Sequence, residues 1–395
     1  MRRIIVATLL VASTTPAVGS DWSFSGQVSG ELRGFFQGVQ YPVQFGGTQP
    51  SIIISPELSF ASESGRHQVQ VTGFTRLDGR DSNRTHSDLR EAYWRYVGES
   101  WDVLLGFNQV FWGVAESRHL VDVINQTDFV EDIDGEDKLG QQMVQLNLQR
   151  SWGTLGVFVM PGFRQRTFAG SEGRVRLPLP VDEDRARFES SAGDRHVDYA
   201  LRYSHFFGDW DVGLSLFHGT SREPRFELDG TATALVPHYD ITTQGGIDLQ
   251  YTKGAWLWKL EAMLRQHRDE RFAAAVAGVE YTFYQAFDTA ADVGVLVEYL
   301  RDGRGVGAPP TVFDDDVFVG TRLALNDAED SHVLAGAVVD RNHGATAVRF
   351  EAERRLSERF KVEVESRLFL RTGEDDVLRS FARDDFAVVR LAWFF

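Results

Sequence analysis

The chain concentrates carboxylates in one short stretch, Glu131, Asp132, Asp134, Glu136 and Asp137, broken by Ile133 and Gly135. Acidic residues spaced around a glycine can wrap a hard cation in oxygen, so Asp132, Asp134 and Asp137 are candidate ligands for calcium. The spacing is incomplete as a calcium loop, because Met143 stands where the twelfth position wants a glutamate. Asp314-Asp315-Asp316 is a shorter run of the same kind. Facing a basic surface, the longer run would instead set up a transverse field that orients small polar solutes. Catalysis has less to stand on. No Gly-x-Ser-x-Gly, His-Glu-x-x-His or cysteine motif occurs, and His119, His196, His205, His218, His238 and His332 are scattered. Neither a reaction nor an organic cofactor is expected.

The basic candidates are Arg33, Arg322, Arg349, Lys361, Arg367 and Arg390. Only long-range structure can gather residues so far apart, and the alternation around them says what kind. Trp22, Phe24, Val28, Leu32 and Phe36 alternate with Ser23, Ser25, Gln27, Ser29, Glu31 and Arg33. A strand sends successive side chains to opposite faces, so this stretch has one apolar and one wet face. Near the other end, Phe360, Val362, Val364, Leu368 and Leu370 alternate with Lys361, Glu363, Glu365 and Arg367. A row of charges on one strand face is too costly to bury dry; it needs water, while the opposite face needs oil.

About 18 such segments can be counted, or 16 if the shortest merge. They are 22–37, 51–63, 66–77, 87–98, 101–110, 142–150, 154–161, 195–206, 210–219, 241–252, 256–266, 272–283, 291–300, 317–326, 331–340, 345–354, 359–370 and 383–395. Several reach the ~9–11 residues that cross a bilayer obliquely. Alternate connections are long (38–50, 111–141, 161–194, 220–240, 301–316 and 371–382), although 267–271 and 341–344 are short. The others are mostly tight turns, such as Ser64-Gly65, Gly208-Asp209 and Lys253-Gly254-Ala255. Aromatic residues crowd those turns: Trp94, Tyr96, Trp101, Trp152, Trp210, Tyr251, Trp256, Trp258, Tyr281 and Phe283. Short turns at one end, long loops at the other and an aromatic girdle are the signature of an all-β fold, a transmembrane antiparallel β-barrel with periplasmic turns and extracellular loops.

Composition agrees. The 395 residues include 29 Phe and no cysteine, and no later window is apolar enough for a transmembrane helix. Mean hydropathy is -0.25, as expected when half of each strand faces water. A net charge of -16 argues against nucleic acid as a partner. Residues 1–20 read as a secretory signal peptide, with Arg2 and Arg3 before the apolar run Ile4 to Ala12. Residues 21–395 then form a single barrel domain.

Two features resemble known proteins. The final strand, alternating through Ala387, Val389, Leu391, Trp393 and Phe395, is similar to the C-terminal strand of bacterial outer-membrane barrels. Leu89-Arg90-Glu91-Ala92-Tyr93, Leu105 to Gly113, and Asp122-Val123-Ile124-Asn125 with Asp128 resemble a group of porin-like Gram-negative outer-membrane proteins of poorly defined role. Gln126 stands where that group usually has proline. The resemblance implies a porin-type channel in the outer membrane, passing small hydrophilic solutes by diffusion. By analogy with general porins, whose third loop folds inward, the 111–141 connection would form an acidic constriction of Glu131, Asp132, Asp134 and Asp137. Opposite it, Arg33, Arg322, Arg349, Lys361, Arg367 and Arg390 would line the pore as a basic wall, or be laced with glutamates as a salt-bridge ladder. Expected partners are outer-membrane lipid and lipopolysaccharide, a small polar solute, the barrel-assembly machinery and, as in many porins, further copies of the chain. The alternative is a plugged or gated barrel for polysaccharide export or surface binding.

Overall fold

The computed structural model describes residues 21–373 and 377–395; the leader assigned to residues 1–20 lies outside them. The strands are β1 (Asp21–Phe35), β2 (Thr48–Ala61), β3 (His67–Asp78), β4 (His86–Val97), β5 (Trp101–Asn108), β6 (Gln141–Arg150) and β7 (Gly153–Pro161). Next come β8 (Arg187–Phe188), β9 (Val197–Phe207), β10 (Trp210–Thr220), β11 (Arg225–Leu228), β12 (Leu235–Tyr239), β13 (Ile241–Lys253) and β14 (Trp256–His267). The last are β15 (Glu270–Phe283), β16 (Asp292–Asp302), β17 (Asp315–Ala324), β18 (His332–Asp340), β19 (Thr346–Ser357), β20 (Phe360–Leu370) and β21 (Phe386–Phe394).

Eighteen of them form one sheet in which each pairs antiparallel with the next, and β1 closes on β21. Closure leaves no unpaired edge, which a backbone surrounded by hydrocarbon requires. Every segment expected from alternation overlaps one barrel strand. The remaining three, β8, β11 and β12, form a small separate sheet above the long-loop end. Its parallel β12–β8 pairing joins two connections that the sequence showed only as loops. Glycines make the tightest turns at the other end, where Gly208 and Gly254 adopt φ of 62° and 59°.

Outward side chains form the apolar surface. Leu32, Leu201, Leu214, Val297 and Leu391 are exposed on it, while their strand neighbours point into the lumen. At the short-turn rim, Trp94, Tyr96 and Trp101 pack together, as do Trp256, Tyr281 and Phe283. Such rings favour the boundary between hydrocarbon and water. Alternation thus predicts a sharp contrast on β9. Leu201→Arg puts a cation on the lipid side and is expected to cost about 2–4 kcal/mol near mid-bilayer, although Arg202 is already tolerated next door. Denaturant titration in lipid vesicles measures it; a negligible loss would mean that Leu201 does not face lipid.

The lumen departs from the expected uniformly polar lining. On the side made by β5, β6, β7, β9 and β10, the inward residues Leu104, Met143, Phe158, Met160, Ala200 and Phe217 are apolar and buried. They pack against Trp112, Val121, Val123 and Ile124 of the 109–140 connection. A second dry cluster joins Ala115 and Leu120 to Met263, Phe272, Leu296 and Phe318 of the facing wall. These apolar positions share the inward face of their strands, and inward here means against a packed loop rather than against water.

Candidate functional site

The connection that follows β5 enters the barrel because its neck is tied. Asn125 Oδ1 accepts the Val110 N–H at 2.8 Å, and its Nδ2 donates to the carbonyls of Asn108 and Leu139. Arg90 donates to Asp128 at 2.5 Å, and the Thr167 hydroxyl donates to the same carboxylate at 2.6 Å. Trp112 is buried in the dry side. Gly113 has φ of 138°, and a Cβ there would lie 2.8 Å from Glu261 Oε1. These belong to the residues that carry the resemblance noted above, so that motif is a device for turning the loop inward.

Across the lumen, wall glutamates receive the loop's backbone. Glu261 of β14 accepts N–H bonds from Val114, Ala115, Leu120 and Val121. Glu298 of β16 accepts the N–H groups of Glu116 and Ser117. Side chains add Glu116–Arg322 at 2.6 Å and Arg118–Asp302 at 3.0 Å. Strand alternation puts Glu261 and Glu298 on the lumen face, but only the folded loop shows that they bind main chain.

The acidic run lies against the wall of the first and last strands. Glu131 binds Arg76 and, at 2.8 Å, His86. Asp132 and Asp134 both pair with Arg367, at 3.2 and 2.6 Å, and Arg349 lies 3.9 Å from Asp134. A calcium ion at this position would have to compete with Arg367. Asp137 is exposed to the lumen, and its carbonyl accepts the Asp128 N–H. Buried Arg33 reaches the Glu131 carbonyl at 3.5 Å and covers the Phe386 ring.

Lys361 and Arg390 contact wall glutamates instead. A chain of ion pairs runs Glu353–Lys361–Glu363–Arg390–Glu31–Arg76–Glu131, with links of 2.5–2.9 Å. Of the two arrangements expected for the basic residues, the geometry is the ladder. Arg76, Arg84 and His86, which supply the inward loop's main anchor on this wall, had not been singled out. The parity of Arg76 with Gln68, Gln70 and Thr72 on β3 is the available signal, and the register shift beside it falls on β4, where Arg90 is skipped.

The lumen therefore has a wet side. Arg349, Glu351, Lys361, Glu363 and Arg390 each keep 20–28% of the side chain exposed, whereas Glu31 and Glu261 keep 0%. Among the described residues, groups of three candidate metal ligands occur at Asp314, Asp316 and Asp340, and at Asp330, His332 and Glu353.

Two loop residues set the pH range of the anchoring. Burial would raise Glu131, but the His86 bond and the charges of Arg76 and Arg84 outweigh it and hold the carboxyl down at about 2. Burial opposes charge on His119, yet its bond to Glu136 and the Glu261 carboxylate 3.7 Å away lift the imidazole to about 10. A depressed carboxyl stabilises fully above its ordinary value of 4.5 and loses this as pH falls toward about 2. A raised imidazole stabilises fully below 6.5 and loses this as pH rises toward about 10. The inward loop should thus resist proteolysis from mildly acidic to mildly alkaline pH and become susceptible near either extreme. Loss of resistance at mid-range, measured with proteases active there, would contradict these anchors.

The architecture is an 18-stranded antiparallel membrane barrel with a loop folded into its lumen, the porin-type fold. No family model and no curated protein matches the chain. Among solved structures it is similar to a BenF-like porin from Pseudomonas fluorescens Pf-5, at 10% identity over 95% of this chain and 98% of that one, with a TM-score of 0.53. A loop-deletion mutant of OmpT, an outer membrane protein of Vibrio cholerae, is 12% identical over 95% and 100% of the two chains, with a TM-score of 0.49. A mutant of Rh. blastica porin is 14% identical over 95% and 100%, with a TM-score of 0.46.

Proposed function

We propose that the chain is an outer-membrane channel for passive diffusion of small hydrophilic solutes, narrowed by its inward loop, and not an enzyme. The observation that carries this reading is the two-sided lumen: the loop packs dry on β5, β6, β7, β9 and β10 and meets a partly exposed, ion-paired wall along β19–β21. Water and small polar solutes would pass along that wall, and its alternating charges would orient them. Asp132, Asp134 and Asp137 would sit beside that path while Glu131 is buried against Arg76, with Arg349 and Arg367 contributing the opposite sign.

Reconstitution in planar bilayers, together with liposome swelling in small sugars, tests the reading. Steady conductance and sugar-dependent swelling are expected. A sealed barrel would overturn it in favour of a plugged or gated one, a reading that the dry clusters around Trp112 and Leu120 support. Asp132→Asn with Asp134→Asn should lower cation preference without closing the channel.

A further inference from the structure

A cavity of about 350 Å³ lies between the inward loop and the connections 162–196, 221–240 and 303–314. Its walls differ in chemistry. One is apolar, built from Phe313, Phe318, Val338, Ala347 and Phe369. The other presents Arg118, Arg166 and Arg265 beside Glu223, and Arg304 and Asp302 pair with this group without lining the cavity. Arg118 and Arg304 pair with Asp302 at 3.0 and 2.9 Å. Arg265 and Arg304 pair with Glu223, and Arg118 lies 3.9 Å from it. Two carboxylates thus serve three guanidiniums before Arg166 is counted.

Arg166 adds a fourth. It makes a long 3.4 Å bond to Gln126 Oε1 and lies over the Phe129 ring at 5.5 Å. None of the described carboxylates pairs with it. The neighbouring Arg222 is already matched, by Asp198 at 2.5 Å. Each of the four guanidiniums also lies over a phenylalanine: Arg118 over Phe313, Arg166 over Phe129, and both Arg265 and Arg304 over Phe272. Stacking fixes the plane of a guanidinium and leaves its N–H edge free for a carboxylate. Burial lowers both Arg118 and Arg166 from the usual guanidinium value, as expected for cations short of counter-charge. At Arg118 and Phe313 the cationic and apolar walls touch.

We propose that this cavity binds a small organic acid, its carboxylate on Arg166 and the adjoining Arg118 and its apolar body against Phe313, Phe318 and Phe369. An inorganic anion would use the arginines and leave the apolar wall wet; a neutral apolar molecule would leave the excess charge unmatched. Only a molecule with both parts satisfies both walls. The proposal deepens the channel reading by naming a solute class for its lumen, but binding and passage can be measured separately.

Calorimetry on the full-length mature barrel in detergent, titrated with phenylacetate, is the test. Saturable binding is expected, weakened about tenfold or more by Arg166→Gln, since a charge-assisted bond contributes roughly 1.5–3 kcal/mol. Arg166→Lys, which keeps the charge, should retain part of the affinity. Removing Arg166 strands no carboxylate, so both variants should fold, as heat-modifiable electrophoresis can verify. 2-Phenylethanol and inorganic phosphate are the comparison titrants. Equal binding of 2-phenylethanol, equal binding of phosphate, or full affinity in folded Arg166→Gln would each overturn the proposal. Conductance without phenylacetate binding sinks this site and leaves the channel standing; binding to a barrel that never conducts does the reverse.

Discussion

Glu261→Ala should release the middle of the inward loop and enlarge the single-channel current. The Glu261 side chain is fully buried, and its two oxygens accept four loop N–H groups, those of Val114 and Ala115 at 2.7 and 2.9 Å and of Leu120 and Val121 at 2.6 and 3.3 Å. Each buried donor left unpaired costs about 1–3 kcal/mol. Four together exceed what the packing of Ala115 and Leu120 can offset, at roughly 25 cal/mol per Å² of apolar surface. The segment is expected to move until water reaches those amides. Arg118, now held by Asp302, would become a tryptic site. Current should rise by about twofold or more as lumen cross-section is freed. Glu261→Gln, with one acceptor oxygen instead of two, should fall between. Unchanged current with Arg118 still protected would show that the loop is held by something other than this carboxylate.

The second large effect is expected on the opposite wall. Arg76 is 2% exposed and joins two acids from distant parts of the chain. Its Nη1 donates to Glu31 at 2.7 Å, and its Nε and Nη2 donate to Glu131 at 2.5–2.8 Å. Arg76→Met keeps much of the stem volume and removes the charge. Glu31 would retain Arg84 and Arg390, while Glu131 would retain chiefly His86. Breaking a buried pair by deleting one partner costs about 3–5 kcal/mol, because the other charge stays buried. We expect a loss of that order in denaturant titration, partly reversed by adding Glu131→Gln. Mild acid should also relieve the single variant, because a carboxyl without its arginine binds a proton more readily. A loss under about 1 kcal/mol, as for an exposed pair, would show that lumen water solvates this site.

Both anchors bear on how the barrel was read from its residues. Alternation along their own strands is enough to turn Glu31, Glu261, Glu298, Lys361 and Arg390 inward, and each faces the lumen. Their partners were another matter. A strand's period reports which side a residue faces, and side is all that alternation can report. Analogy with general porins sets Glu131 opposite a basic wall; its chief partner there, Arg76, lies 55 residues away on β3 and is not among the basic candidates. Phe158, Met160 and Phe217 also point inward. Alternation cannot tell that they are dry, because the residues that cover them, Trp112, Val121, Val123 and Ile124, belong to another part of the chain.

What consecutive residues determined by themselves was the barrel: strand number, sidedness, the sorting of turns and loops, and the aromatic rim. These are local properties, since hydrocarbon outside and hydrogen bonding between neighbours act on every strand alike. What only the tertiary structure decided was how the lumen is filled. The neck tied by Asn125, the ladder closed by Arg390 on Glu31 across 359 residues, the β8–β11–β12 sheet and the arginine-lined cavity all join segments remote in the chain. Such matches depend on closing the sheet and on the angle at which each loop enters it, and neither is encoded in the order of neighbours along one strand.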